Sequence, residues 1–333
     1  MNVAKIQEIL KDEPKFRAKQ VYEAVFAKFA ENWDEVTTLS KELREKLQAE
    51  APLDIKAEFI ESGDKDTVKA VIEMEGGKVE TVLMRHEDGR NSVCVSSQIG
   101  CALGCKFCYT GQHGFVRNLD SYEIVEQVLL FARYLKKFNE RVSNVVYMGM
   151  GEPFLNYEEV MKSVKFLNDE DTFNIGARKI SISTAGIIDG IKRFAKEPLQ
   201  VNLALSLHAP NQGIRNELMP ISKNYRYDAL LEAVAEYIKR TNRKVLLEYV
   251  LIRNINDSEE CALELVNVLK VKLGRLFTVN LVSYNPTGKY QPSSPETMTA
   301  FKRILEKEGI ETVQRFSFGR DIKAACGQLA RGN

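Results

Sequence analysis

The chain has 333 residues, 44% of them hydrophobic and 28% charged, the balance of a folded globular protein with room for one large core and an appended module. Its 47 basic and 46 acidic residues leave a net charge of +1, so bulk electrostatics give no vote for nucleic acid, whose non-specific affinity comes from basic surface, and only local patches could supply one. No apolar run approaches the ~20 residues that span a bilayer, and the opening Met1-Asn-Val-Ala-Lys-Ile-Gln lacks the apolar core of a secretion signal. Six cysteines in a chain this large fit a reducing interior better than a disulfide framework; the expectation is a cytoplasmic protein with no membrane partner.

Residues 1–53 read as a helical accessory domain. Val3, Ile6, Ile9 and Leu10 recur at helical spacing, as do Val21, Tyr22, Val25, Phe26 and Phe29 after Pro14. Ser40 offers an N-cap to a third helix over 41–48. From residue 54 to 90 the pattern becomes a small β-meander: strands at 55–60, 67–74 and 79–84, divided by Gly63-Asp64 and Glu75-Gly76-Gly77, which are hairpin signals. Residues 91–333 then alternate strands (92–96, 144–148, 179–183, 201–206, 245–252, 278–284) with helices near 121–137, 157–168, 186–195, 227–241, 258–271 and 295–308. Strand followed by helix about six times predicts an α/β protein whose parallel sheet has crossover helices. Barrel and open doubly wound sheets both fit, and in either one ligands gather at the carboxyl ends of the strands.

Those ends carry the unusual residues. Cys101-Ala-Leu-Gly-Cys105-Lys-Phe-Cys108 follows the first strand, Met148-Gly-Met-Gly-Glu-Pro153 the second, Ser183-Thr-Ala-Gly the third, Ser206-Leu-His208 the fourth and Asn285 the sixth. Three thiolates on one short loop can grip a metal centre from one side. A four-iron cluster normally takes four cysteines, so three leave one iron open to a second molecule. Zinc would need a fourth ligand, and C-x3-C-x2-C is not usual zinc spacing. Cys261 sits in a helical stretch outside any motif and reads as structural.

The C-x3-C-x2-C loop after the first strand of a βα repeat resembles the radical S-adenosylmethionine superfamily. More narrowly, Cys94-Val-Ser-Ser-Gln-Ile-Gly-Cys101, Met148-Gly-Met-Gly-Glu-Pro153 and Asp321-Ile-Lys-Ala-Ala-Cys-Gly-Gln-Leu329 resemble the RlmN/Cfr methyltransferases, nearly end to end. The fold this implies is a radical SAM partial (β/α)6 barrel, here with the helical module and the meander in front and a catalytic-cysteine segment behind.

The resemblance implies that Cys101, Cys105 and Cys108 hold a [4Fe-4S] cluster. It places S-adenosylmethionine, two per turnover, against Gly151, Glu152, Ser183, Ser206, Leu207, His208 and Asn285. Cys326 accepts a methyl group as S-methylcysteine, a radical opens that group, and the carbon adds to C2 of an adenosine in the peptidyl-transferase region of 23S rRNA, with tRNA a further substrate. Cys94 resolves the covalent RNA adduct through a transient disulfide with Cys326, and Glu80 is the proton acceptor. By alternation alone Cys94 would more often be core and Glu80 an outward strand residue. An external one-electron reductant such as flavodoxin or ferredoxin is implied as well.

Two stretches leave the regiochemistry open. Phe316-Ser-Phe-Gly-Arg-Asp is closer to the Cfr pattern of C8 methylation, whereas Leu247-Glu-Tyr-Val leans to C2; C2 is taken on family prevalence. Candidate RNA contacts are Arg117, the basic run 239–244, and Arg315, Arg320 and Lys323. A radical enzyme of another substrate class and a zinc-stabilised RNA-binding protein are the competing readings.

Overall fold

A computed structural model describes residues 1–315 and 317–330. The N-terminal module consists of α1 (Val3–Leu10), α2 (Lys15–Tyr22) and α3 (Lys41–Glu50). Helix α1 buries Val3, Ile6, Ile9 and Leu10, and the Ser40 hydroxyl caps α3 by accepting from the Leu43 amide at 3.3 Å, both as the pattern predicts. Trp33, wholly buried, donates its indole N–H to the Ala51 carbonyl at 2.8 Å.

The meander strands β1 (Ala57–Glu61), β2 (Thr67–Met74) and β3 (Gly77–Arg85) pair antiparallel in order. They continue into the main sheet, because β3 pairs antiparallel with β4 (Asn91–Cys94), bringing Val82 opposite Cys94. Beyond a two-stranded hairpin of β5 (Gln98–Gly100) and β6 (Phe115–Asn118), the parallel strands are β7 (Asn144–Tyr147), β8 (Ile180–Thr184), β9 (Asn202–Ser206), β10 (Val245–Leu251), β11 (Phe277–Ser283) and β12 (Thr312–Arg315). The order β1-β2-β3-β4-β7-β8-β9-β10-β11-β12 makes one ten-stranded sheet, with every pairing from β4 onward parallel.

Crossover helices bury apolar faces against that sheet. They include α5 (Ser121–Lys136), α6 (Tyr157–Asn168), α7 (Ile188–Phe194), α9 (Tyr227–Thr241), α10 (Glu259–Leu273) and α11 (Pro295–Lys307). Asp120 and Glu123 form a capping box that starts α5. From the same helix Arg133 donates to the Leu53 carbonyl at 2.8 Å and the Ala30 carbonyl at 2.5 Å, fastening the N-terminal module to the core. Among the described residues, no helix is long and apolar enough to cross a membrane.

The predicted strands and crossover helices agree with the structure to within a few residues. Unforeseen were β5, β6 and β12 and the short helices α4 (Tyr109–Gln112) and α8 (Gln212–Leu218). Each is seven residues or fewer, too short for periodicity to register, and β6 leaves Phe115 and Val116 exposed where alternation would bury one.

Candidate active site

The cysteine loop runs between β5 and β6. It leaves β5 at Gly100 with φ +75°, where a Cβ would lie 2.1 Å from the Gly114 carbonyl oxygen, so only glycine fits. The loop is closed by Cys101 N–H donating to that same oxygen at 2.7 Å and by Cys108 N–H donating to the Cys105 carbonyl at 3.1 Å. All three thiols line one cavity at the carboxyl ends of the parallel strands. Its volume is about 190 Å³, where a single buried water takes about 10–15 Å³ of such space.

Gly151, Glu152, Ser183, Ser206, His208 and Asn285 line the same cavity. Glu152 is buried and accepts two backbone N–H bonds, from Phe154 at 3.0 Å and Ala185 at 2.7 Å. Burial still pushes its carboxyl up to about 7, with those bonds pulling the other way. His208, at φ +56°, accepts at Nδ1 from the Val250 amide at 3.1 Å, which leaves the proton on Nε2. Burial, then the nearby Arg215 guanidinium, pushes its pKa down to about 3, so the ring is neutral. The side-chain oxygens of Ser183 and Ser206 stand 3.5 Å apart. Leu207 is not among the residues that line the cavity. Its side chain packs in the hydrophobic core, its N–H donates to Glu248, and its carbonyl accepts from Arg215.

The segment after β12 returns across the strand ends and brings Cys326 to the cavity. Asn285 donates to the Cys326 carbonyl at 3.1 Å while accepting from Arg320 Nε at 2.9 Å. Tyr109 N–H, at the start of α4, donates to the Gly327 carbonyl at 2.8 Å, and the Thr110 hydroxyl to the Leu329 carbonyl at 3.0 Å. Cys326 is open to the cavity yet surrounded by protein. Burial pushes its thiol up and the Arg315 guanidinium pulls it back. From β4, Cys94 faces the same space; burial, then the charge of Cys326, pushes it up to about 12. All six cysteines are free thiols, so the expected Cys94–Cys326 disulfide is not formed here, and the two meet as a reduced pair.

Arg315, expected as an RNA contact, and Glu248 both line the cavity as well. Burial opposes the Arg315 charge, but Glu248 and then the two thiols hold the guanidinium more firmly protonated than usual. Glu248 accepts from Asn280 Nδ2 with both oxygens, at 3.0 and 2.9 Å. Glu80 stands apart from the cavity lining. It is fully buried, paired with Lys69 Nζ at 3.4 Å, and accepts from the Ala330 amide at 2.8 Å.

The RNA candidates separate by position. Arg117 is paired with Glu123 at 2.6 Å and donates to the Glu75 carbonyl at 2.7 Å. The basic run 239–244 precedes β10, at the amino ends of the strands and away from the cavity. Within it Arg243 donates to the carbonyls of Leu199 and Val201 and Lys244 pairs with Glu311 at 2.6 Å. Arg320 and the exposed Lys323 remain beside Cys326. Phe316, part of the stretch that leans to C8 chemistry, lies outside the described residues.

A partial barrel of parallel strands with a three-cysteine loop at its carboxyl rim defines a radical SAM protein, and residues 95–266 match the Radical SAM superfamily model. Residues 3–53 match a second model, "Ribosomal RNA large subunit methyltransferase N-terminal domain". Curated relatives named "Probable dual-specificity RNA methyltransferase RlmN" include those of Dictyoglomus thermophilum, 44% identical over 98% of this chain and 94% of the relative, and Lysinibacillus sphaericus, 46% identical over 95% and 83%. A crystal structure of a radical SAM methyltransferase from Sphaerobacter thermophilus superposes with a TM-score of 0.93, at 41% identity over 99% of this chain and 98% of that one. The chain belongs to the RlmN family.

The superfamily implies a [4Fe-4S] cluster and S-adenosylmethionine, and the residues present fit both. Burial pushes Cys101 to about 12 and raises Cys105 and Cys108 as well. Unpartnered, such thiols would stay protonated and inert; a cationic iron core is what makes thiolates favourable there. Glu152, buried and raised, lacks a cation in the same way, and the ammonium group of S-adenosylmethionine would supply one.

Proposed function

We propose that the protein methylates C2 of a peptidyl-transferase-centre adenosine in 23S rRNA, and an adenosine in tRNA anticodon arms, by way of S-methylated Cys326 and a covalent RNA adduct. One observation carries this reading. Cys94 on β4 and Cys326 in the segment after β12 are far apart in the chain, yet both line a single cavity with the three cysteines of the loop. A radical enzyme without a methyl carrier would have no use for that pair.

Cys101, Cys105 and Cys108 would hold the cluster, and Gly151, Glu152, Ser183, Ser206, His208 and Asn285 the S-adenosylmethionine. When bound, these groups supply one-electron chemistry able to open a C–H bond, which C2 of adenine needs because it offers a methyl cation no lone pair. The chain's own residues do the rest. Cys326 gives up its proton, helped by the Arg315 charge, and its sulfur takes a methyl group from a first S-adenosylmethionine by displacement. The methyl carbon, having given up one hydrogen atom while still on Cys326, would bond to C2; the C2–H bond then breaks, its proton passing to a base of the site and the surplus electron to the one-electron carrier, and protein and RNA are left joined. Cys94, as thiolate, attacks the Cys326 sulfur. An S–S bond forms, the carbon–sulfur bond breaks, and its electron pair stays with the carbon, which takes a proton to become the methyl group. An external thiol reduces the disulfide, and a flavodoxin- or ferredoxin-type donor supplies the electrons for the radical step.

Arg320 and Lys323, both exposed on the segment that carries Cys326, would contact the phosphates of a flipped adenosine. The test is digestion of rRNA treated with reconstituted enzyme, with separation of 2-methyladenosine from 8-methyladenosine. Exclusive 2-methyladenosine is expected. Only 8-methyladenosine, or no methylated base, overturns the reading.

A further inference from the structure

On β3, Glu80, Val82 and Met84 alternate onto one face of the sheet. Val82 and Met84 line the cavity, so Glu80 would be next in that row. Instead it is covered. Leu329 and Ala330 of the C-terminal segment pack on Val82 and Met84, and Glu80 Oε2 accepts the Ala330 N–H at 2.8 Å. Its other oxygen meets Lys69 Nζ at 3.4 Å, and both side chains are almost wholly buried. Lys69 stands on β2 opposite Val82, so the pair is built diagonally across one hairpin.

We infer that Glu80, backed by Lys69, is a positioning residue that holds the Cys326 segment over the cavity. Among the described residues, 317–330 contain neither helix nor strand, so the segment keeps its course through side-chain packing and individual bonds, with no ladder to hold it. Those at Asn285, Tyr109 and Thr110 fix it on the cavity side. Ala330, four residues past Cys326, is fixed on the opposite side by Glu80. A carboxylate with its own buried cation makes a stronger acceptor for a backbone N–H than a neutral group would. The same geometry keeps Glu80 from a base lying in the cavity for as long as Ala330 stays in place.

Single substitutions would strand a buried charge, so the test uses two double variants, K69L/E80L and K69M/E80Q. The glutamine of the second keeps a carbonyl oxygen for Ala330. In cluster-reconstituted protein without RNA, amide hydrogen exchange across 324–330 is expected to rise about tenfold or more in K69L/E80L, from loss of a charge-assisted bond, and to stay near the parent in K69M/E80Q. Methyl loading of Cys326, read by mass on its peptide, should fall in the first variant and persist in the second; this arm rests on the proposed methyl-carrier role, whereas the exchange arm does not. Equal exchange in parent and both variants overturns the inference. So does undiminished Cys326 loading in K69L/E80L with accumulation of RNA adduct, which would put Glu80 to work on the adduct itself.

Discussion

Replacing Glu152 with glutamine separates two forces that act on this side chain in opposite directions. The glutamate accepts one backbone N–H with each oxygen, from Phe154 and from Ala185. In E152Q one of those donors faces an NH2 group and goes unpaired in the interior, which costs about 1–3 kcal/mol. The carboxylate carries a cost of its own, since burial lifts its pKa from 4.5 to about 7. At about 1.4 kcal/mol per tenfold in proton affinity, ionising it inside the fold costs about 3 kcal/mol. As pH rises the unfolded chain gives up this proton first. The stabilising contribution of Glu152 is therefore full below about pH 4.5, falls through the window between, and is gone above about pH 7. E152Q should accordingly be about 2 kcal/mol less stable than the parent near pH 4 and about 1 kcal/mol more stable near pH 8. For 333 residues, at about 2.1 cal/mol/K each, a change of about 3 kcal/mol moves the difference in melting temperature by about 4 °C. Circular dichroism melts of both proteins across that range, without S-adenosylmethionine, measure it. A constant gap at every pH would refute the buried-carboxylate argument.

Cys326→Ala should abolish methyl transfer, and Cys94→Ala should trap a protein–RNA adduct that survives denaturing gels; clean turnover by the latter would end the resolving role. Alanine at Cys101, Cys105 or Cys108 should remove the brown absorbance and the iron, about four per chain in the parent, whereas stoichiometric zinc without iron in the parent would exclude the cluster. Gly149→Ala puts a Cβ 2.6 Å from Ser96 Oγ and 2.7 Å from the Val95 carbonyl oxygen, and such overpacking should lower stability by about 1–3 kcal/mol in denaturant titrations. Arg243→Ala should lower stability, since its guanidinium holds two carbonyls and lies over the Phe194 and Tyr237 rings, and leave RNA affinity unchanged. Lys323→Ala should do the reverse, reducing the salt dependence of binding by about one phosphate contact.

What the sequence made legible was whatever is local. The cysteine loop, the helix cap at Ser40, and the strand-end residues Glu152, Ser183, Ser206, His208 and Asn285 could be placed because motif and element adjoin in the chain. Connections over long separations were harder to read. Arg315 and Glu248 come near Cys94 and Cys326 only because β12 and β10 lie in the same half of the sheet, and β12 is a four-residue, largely polar strand with no periodic signal. The Lys69–Glu80 pair did leave a trace. A lone lysine interrupts the apolar run Val68-Lys-Ala-Val-Ile, and a hairpin turning at Gly76 and Gly77 brings it diagonally to Glu80. The outward reading of Glu80 failed because alternation fixes which face a residue takes, while the segment covering that face arrives 250 positions later.

The sheet order gives that late segment its task. Strands β1 and β12 are the two edges of one sheet, and the parallel strands between them leave a cavity open at their carboxyl ends. After β12 the chain first reaches the meander, where the Gly63 amide of the β1–β2 turn donates to Asp321 at 2.8 Å; it then lies over the opening at Asn285, Tyr109 and Thr110 and meets Glu80 on β3 at Ala330. Cys326 lies between these anchors, so its sulfur is located by them and not by a strand of its own. Under the proposed mechanism, the Cys326 thiol meets a methyl donor, an RNA base and Cys94 in turn, which requires a firm average position with some freedom to travel. A segment tied by separate hydrogen bonds supplies both, where a strand in the ladder would supply only the first. In that scheme the meander contributes little to the cavity wall beyond Val82 and Met84 and instead anchors the segment that carries Cys326, through Glu80 and the Gly63 amide.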